Sequence, residues 1–491
     1  MTGDLYLNAN HEKEVYSKIK RKYNNLLVNN KGLSRGDIRA FIGVKTWNNE
    51  IDNIKNGVLT FLTHINALEE SLIYFEKHDK FSIKNEFNIC KDKWLANNVG
   101  ITYGKTIKPI LSSPVPRIKK WKPDNWKMIS LFSGAMGLDI GFMAAGFELR
   151  LANDISKESY NTVTNNLPNT SFIHDDIQKI SSSELLSKAG LGVAEVDVLV
   201  GGPPCQPFST AGKREGLNDP RASPLREFIR VINDIQPKIF VMEEVEGLLS
   251  SRLIHVPISE RNNKKLKDEE ESGSVFKVVR QMLKSTNYKY NYWILNSADF
   301  GAPQCRRRLI FMGSKKTLPK PLVQTHSEVQ LTLPDGSKLE PWNTLWEATA
   351  DLQKIDQEYL KFSSSRSSYM KSIVPGGNWR HLPKECVKAA LGGAYESGGG
   401  KMGYYRRLSW DEPSPTVVTS PAQNSTMLCH PYDNRPLSVE EYKRIQGFPD
   451  DWEIVGSTTQ EKYKLIGDAV PVHLSYAIAK NVISILNEDN M

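Results

Sequence analysis

Four short runs of apolar and β-branched residues, MISLF, FELRLAND, VDVLVGG and IFVMEEV, follow one another after residue 126 with helical stretches between them. Strands buried on both faces read as near-continuous apolar runs, and strands separated by helix-length segments run parallel. The pattern therefore specifies an α/β, Rossmann-like fold, a parallel sheet with crossover helices. In such sheets ligands gather beyond the carboxyl ends of the strands. The informative residues are those just past each run.

Past the first run, LFSGAMGLDIGF carries Gly134, Gly137 and Gly141 in place of a strict GxGxxG. Glycines there let a backbone approach a ligand, and the helix that follows adds positive potential at its N-terminus. Asp154 in LANDIS and Asp176 in FIHDDI stand at the ends of the next two runs. Carboxylates so placed suit a ribose and an adenine amino group, although either alone also suits a helix cap. Past VDVLV comes GGPPCQPFS, where Cys205 lies beyond the strand among residues that break both helix and strand, the position of a reactive rather than a packed thiol. FVMEEVEGLL offers Glu243 and Glu244, of which only one can face Cys205, because successive strand residues point to opposite faces. A thiolate beside an acid suits addition to an aromatic ring, with the acid supplying the proton. In APQCRRRLIFMG, Gln304, Arg306 and Arg308 alternate and so share one face, where arginine forks suit phosphate or base oxygens; an exposed basic edge strand would have the same pattern.

The rest of the chain divides by texture. Residues 1–126 form a basic, mainly helical extension ending in a linker rich in proline and lysine. Up to residue 125 there are 21 Lys/Arg against 13 Asp/Glu, an excess equal to the +8 net charge of all 491 residues. That points to a polyanion, although a lysine-rich surface that is merely solvated has the same composition. LSRGDIRAFIGVKTWNNEIDNI loosely resembles a helix-turn-helix with its second helix about two residues late. Residues 127–313 hold the sheet and 314–402 a region of mixed turns, while 403–491 bring back regular structure with RPLSVEEYKRIQGFPDDW. The polar N-terminus and the absence of a span-length apolar run suggest a cytoplasmic protein with no membrane partner. The five cysteines lack the spacing of a zinc site or disulfide framework, so no metal is expected.

From residue 128 to 482 the motifs FSGxxG, Pro-Cys-Gln, Glu-x-Val, Gln-x-Arg-x-Arg, RPLSVEEYKRIQGFPD and GDAVPV occur in the order found in the DNA (cytosine-5)-methyltransferases, which the chain resembles in their bacterial restriction-modification form. The resemblance implies S-adenosylmethionine bound by Phe132, Gly134, Asp154, Ile155, Asp176, Asp468 and Val470. It implies catalysis by Cys205, Glu243, Arg306 and Arg308 on a cytosine swung out of duplex DNA, and DNA contacts from Gln206, Ser209, Lys213, Arg221 and Gln304. Residues 314–402 correspond to the family's target-recognition region, with Trp379, Tyr395, Tyr404 and Tyr405 on loops suited to a groove and a texture faintly like enzymes for GGNCC or GGWCC sites. A cognate restriction endonuclease would be the functional partner, and the enzyme would act as a monomer. The chain departs from the family at Met136, where glycine is usual and a change of packing is expected, and at Glu244 and Asp468, where asparagine is usual. An RNA-directed relative would share the cysteine chemistry but carries a Cys-Phe-Thr signature absent here, and a non-enzymatic DNA-binding regulator would leave Cys205 and Glu243 unexplained.

Overall fold

The computed structural model describes residues 126–204, 223–254, 256, 266–328, 331–332, 338–350, 352, 357–397 and 401–490. The basic extension with its helix-turn-helix-like stretch lies outside them, as do Cys205, Gln206, Ser209, Lys213 and Arg221. The described chain falls into two compact units, residues 126–343 with 415–419 and 440–490, and residues 344–414 with 420–439.

The first unit alternates as the apolar runs predict: β1 (Trp126–Leu131), α1 (Gly137–Ala144), β2 (Phe147–Asp154), α2 (Lys157–Asn166), β3 (Phe172–His174), α3 (Ser182–Ala189), β4 (Val198–Gly201), α4 (Ser223–Ile235), β5 (Ile239–Val245), α5 (Ser274–Lys284), β6 (Lys289–Asn296), the two-residue β7 (Gln304–Cys305) and β8 (Arg307–Ser314). The sheet has the order β3-β2-β1-β4-β5-β8-β6. Strands β1 to β5 are parallel, and β8 runs antiparallel to both neighbours. The carboxyl ends of β1 to β5 therefore share one edge with the start of β8, where Arg308 pairs with Val245. Ile129, Leu131, Leu199, Phe240, Met242, Leu309 and Phe311 from the strands, with Phe228, Ile232, Val275 and Val279 from α4 and α5, form one buried core.

The described residues of 314–343, grouped by sequence with the recognition region, pack in this unit: Asn343 Nδ2 donates to Gly301 O at 2.6 Å and Trp342 Nε1 to Asp299 at 2.9 Å. The second unit begins after them with α6 (Leu345–Thr349), α7 (Ser364–Met370) and α8 (Lys384–Leu391). Its core gathers Met370, Ile373, Leu382, Met427, Cys429 and Tyr405, with Trp379 and Tyr404 half-buried against it. Tyr405 is thus a packing residue, its hydroxyl bonded to Ala390 O at 2.9 Å, whereas Tyr395 is 42 % exposed. Buried Arg407 ties the turn at 430–434 together, donating to the carbonyls of His430, Tyr432 and Asp433 and to Met370 O at 2.7 to 3.1 Å.

The chain closes with α9 (Val439–Gln446), α10 (Thr459–Asp468) and α11 (Val472–Asn490). The run Thr459–Asp489 is apolar and long enough to cross a membrane, yet most of its apolar stretch is buried, as in the core helix of a globular domain. A Cβ on Gly137 would come within 2.3 Å of Val470 O, and one on Gly141 within 2.4 Å of Ser475 Oγ. Those two glycines let α1 lie directly against the last helix; their role is packing.

Candidate active site

Gly134, unlike Gly137 and Gly141, has open space around it: no atom lies within 4 Å of where its Cβ would stand. The turn it occupies is left-handed at Phe132 (φ 56°), Gly134 (φ 52°) and Met136 (φ 69°). Only glycine adopts that region without steric cost, which is why glycine suits position 136; methionine there costs about 1 kcal/mol of backbone strain. The departure at Met136 acts on the backbone as well as on packing.

Asp154 fixes the turn from the neighbouring strand. Its Oδ2 accepts from Gly134 N at 2.8 Å and its Oδ1 from Ser156 N at 2.8 Å, so one carboxylate joins the β1 turn to the entry of α2. Asn153, 1 % exposed, holds the end of β3 through bonds of 2.9 Å to Ile173 O and Asp175 O. Asp176 caps a short 3-10 turn through Gln178 N at 3.0 Å and is half-buried. Ile155, an apolar side chain, is 66 % exposed beside this group. An open glycine turn at a helix N-terminus, an exposed aliphatic side chain and a half-buried carboxylate fit a nucleoside carrying an amino-acid tail. Asp468, expected in the same group, turns its carboxylate to Lys464 at 2.7 Å, while Val470 is buried beside α1.

Next along the edge, Glu243 Oε1 pairs with Arg308 Nε at 2.7 Å, both side chains only 12 % exposed. A Cβ on Gly202 would come within 2.9 Å of Glu243 Oε2, so the carboxylate lies over the backbone that leads from β4 towards Cys205. Glu244 is 2 % exposed and by strand alternation faces the other side of the sheet, away from the Glu243 carboxylate. Arg307, the alternate residue, makes an exposed two-pronged pair with Glu246 at 2.8 and 3.0 Å.

Arg306 and Gln304 turn inward as alternation requires, and both are buried. Arg306 donates to Val417 O at 2.7 Å and Gly467 O at 2.8 Å. Burial, and then repulsion from Arg308, pull its pKa down to about 9, against the attraction of Glu243 and Asp468. Gln304, expected to meet DNA, is instead 0 % exposed, with Nε2 donating to Gln446 Oε1 and Oε1 accepting from Val417 N, each at 2.7 Å. The alternation holds, but Val417, Gln446 and Gly467 close over Gln304 and Arg306, so that part of the shared face points into the protein.

The model of the C-5 cytosine-specific DNA methylases matches residues 126–484. The chain belongs to that family. It is a DNA (cytosine-5)-methyltransferase of the bacterial restriction-modification type. The Type II methyltransferase M.PspPI of Psychrobacter sp. (strain TA137) is 37 % identical over 375 residues, covering 74 % of this chain and 80 % of that one. M.Eco47II of Escherichia coli is 32 % identical over 386 residues, 78 % and 84 % of the two chains. M.Sau96I of Staphylococcus aureus is 30 % identical over 446 residues, 90 % of this chain and 91 % of its own. A match over 90 % of the chain cannot fit after residue 126, so it reaches into the basic extension.

Three residues of this methyltransferase occupy positions that its sequence does not announce. Gly202 reads only as a strand breaker, Gln446 only as part of RIQGFPD, and Asp139 only as part of the glycine motif. Composition holds no signal for any of them, because their surroundings depend on what the fold brings opposite them.

Proposed function

We propose that the enzyme methylates carbon 5 of a cytosine within a short duplex sequence through a covalent adduct at Cys205. The observation that carries this is the Glu243–Arg308 pair lying over Gly202, three residues before Cys205. The target base leaves the helix stack, since chemistry at its ring is otherwise out of reach. The Cys205 thiolate then bonds to ring carbon 6. Glu243 meets ring nitrogen 3 with a proton or a hydrogen bond, so that negative charge does not build up, and Arg308 holds both the acid and the O2 side of the base. S-adenosylmethionine, held by the Gly134 turn with Asp154, Ile155 and Asp176, supplies the methyl group that carbon 5 takes when the cofactor is bound. Loss of the carbon 5 proton and elimination of Cys205 restore the enzyme.

Ser209, Lys213 and Arg221 follow Cys205 on a glycine-bearing basic stretch suited to closing over DNA phosphates. The unit of residues 344–414 with 420–439, which holds most of the 314–402 target-recognition region, selects the sequence, and the biological role is protection of DNA from a cognate restriction endonuclease inside the cell. The test is duplex DNA containing 5-fluorocytosine at the target, because fluorine cannot depart as the proton does. A denaturant-resistant protein–DNA complex supports the mechanism, and turnover with no trapped species refutes it. Sequencing of bisulfite-treated DNA from expressing cells identifies the target.

A further inference from the structure

One hydrogen-bonded network joins three separate parts of the catalytic unit. Gln446, at the end of α9 and 0 % exposed, donates from Nε2 to Ile466 O at 2.6 Å and Ala469 O at 3.0 Å. Its Oε1 accepts from Gln304, whose own Oε1 accepts from Val417 N. Arg306 grips the same two backbones, at Val417 O and Gly467 O. Val417 is therefore held at both its N–H and its carbonyl, and the turn 466–469 at three carbonyls. Gly467 leaves no slack there, since a Cβ on it would stand 2.5 Å from Val418 O. Each amide matches donors to acceptors in one orientation only, so the network fixes geometry as well as adding stability.

The network has two ends with different tasks. From Gln304 and Arg306 the chain runs directly into Arg308, which holds Glu243 on the base side. From the 466–469 turn it runs into Val470, whose carbonyl lies against Gly137 at the foot of the cofactor turn. We propose that Gln446 is a positioning residue that, through Gln304 and Arg306, couples the base-binding edge to the cofactor turn. The inference rests on the reading of the site given above.

The test uses the full-length enzyme, S-adenosylhomocysteine as cofactor probe and unmethylated plasmid DNA of mixed sequence. Gln446→Leu removes both donors, Gln304→Met removes the other amide, and the double variant removes the pair together. The Kd for S-adenosylhomocysteine is measured with and without DNA, beside kcat, KM and the melting temperature. In the wild-type enzyme DNA changes the cofactor Kd by a definite factor. Each single variant brings that factor towards 1 and weakens cofactor binding by about tenfold, and the double variant is no worse than the more damaged single one. A role confined to stability lowers the melting temperature and the active fraction while leaving the Kd values and their ratio unchanged, and that result overturns the proposal. Additive losses in the double variant overturn it as well. Wild-type enzyme that bound no S-adenosylhomocysteine would refute the cofactor-site reading itself, whereas normal wild-type binding with unaltered variants refutes only the coupling.

Discussion

Asp139 is the carboxylate whose removal should stabilise the enzyme. It occupies the first turn of α1, is 0 % exposed, and neither of its oxygens has a hydrogen-bond partner at normal geometry. Burial pushes its pKa from 3.8 up to about 7, opposed by the Ser130 hydroxyl and its own backbone amide and reinforced by the charge of Asp154. The sign follows from proton counting. The unfolded chain loses this proton near pH 4 and the native chain keeps it to about pH 7, so the native state binds more protons between those limits. Stability attributable to the group therefore falls as pH rises through that window. The fall is about 1.4 kcal/mol per pH unit and about 4 kcal/mol in all once pH exceeds 7. Asp139→Asn keeps the shape and cannot ionise. Its amide carries a constant burial cost of about 1–3 kcal/mol, which cancels when the same pair of proteins is compared at different pH. Urea denaturation of wild type and variant in matched buffers should show the variant gaining on wild type by about 2 kcal/mol between pH 5 and pH 7. A difference that stays constant with pH would mean that Asp139 is already ionised in the native protein, and the assignment of a neutral buried acid would be wrong.

Cys205→Ser should lower methyl transfer by about 10⁴-fold or more, while S-adenosylhomocysteine still binds in calorimetry. Near-normal turnover would exclude the covalent route. Glu243→Gln should lower kcat by about 10²- to 10⁴-fold, whereas Glu244→Asn, on the opposite face of β5, should change it by less than about tenfold; the reverse order in a tritium-transfer assay would move the catalytic role to Glu244. Gly202→Ala should lower kcat by about 10- to 100-fold, with DNA affinity unchanged in gel-shift titration, because the new Cβ displaces the Glu243 carboxylate. Equal rates would show that the carboxylate has room to spare. Removal of residues 1–116 should flatten the dependence of DNA affinity on salt, by about 0.9 in log–log slope for each phosphate that the extension neutralises, without altering the methylated sequence. An unchanged slope would take the basic extension off the DNA.

The sheet is legible in the sequence because burial on both faces leaves a direct trace, continuous apolar runs at strand length. The strand-end residues are legible for the same reason, since the fold class states where ligands go before any residue is inspected. What composition cannot convey is which side of a glycine or glutamine is occupied. Gly134, Gly137 and Gly141 look alike in sequence, yet the first faces open space, the second faces Val470 and the third faces Ser475 in the last helix, more than 300 residues later. Gln304 and Gln446 lie 142 residues apart and define each other's orientation. Alternation places Gln304 on a face with Arg306 and Arg308 but cannot say whether that face meets water or protein, because strand order is set by long-range pairing. The same limit explains Tyr405, an aromatic in a glycine-rich stretch that packs into the core of its unit. Local pattern fixes which residues point together, and only the completed fold decides what they point at. The candidate acid Glu243 can be found from its strand, whereas Gly202, whose missing side chain gives that carboxylate its room, becomes visible only once β4 and β5 stand side by side.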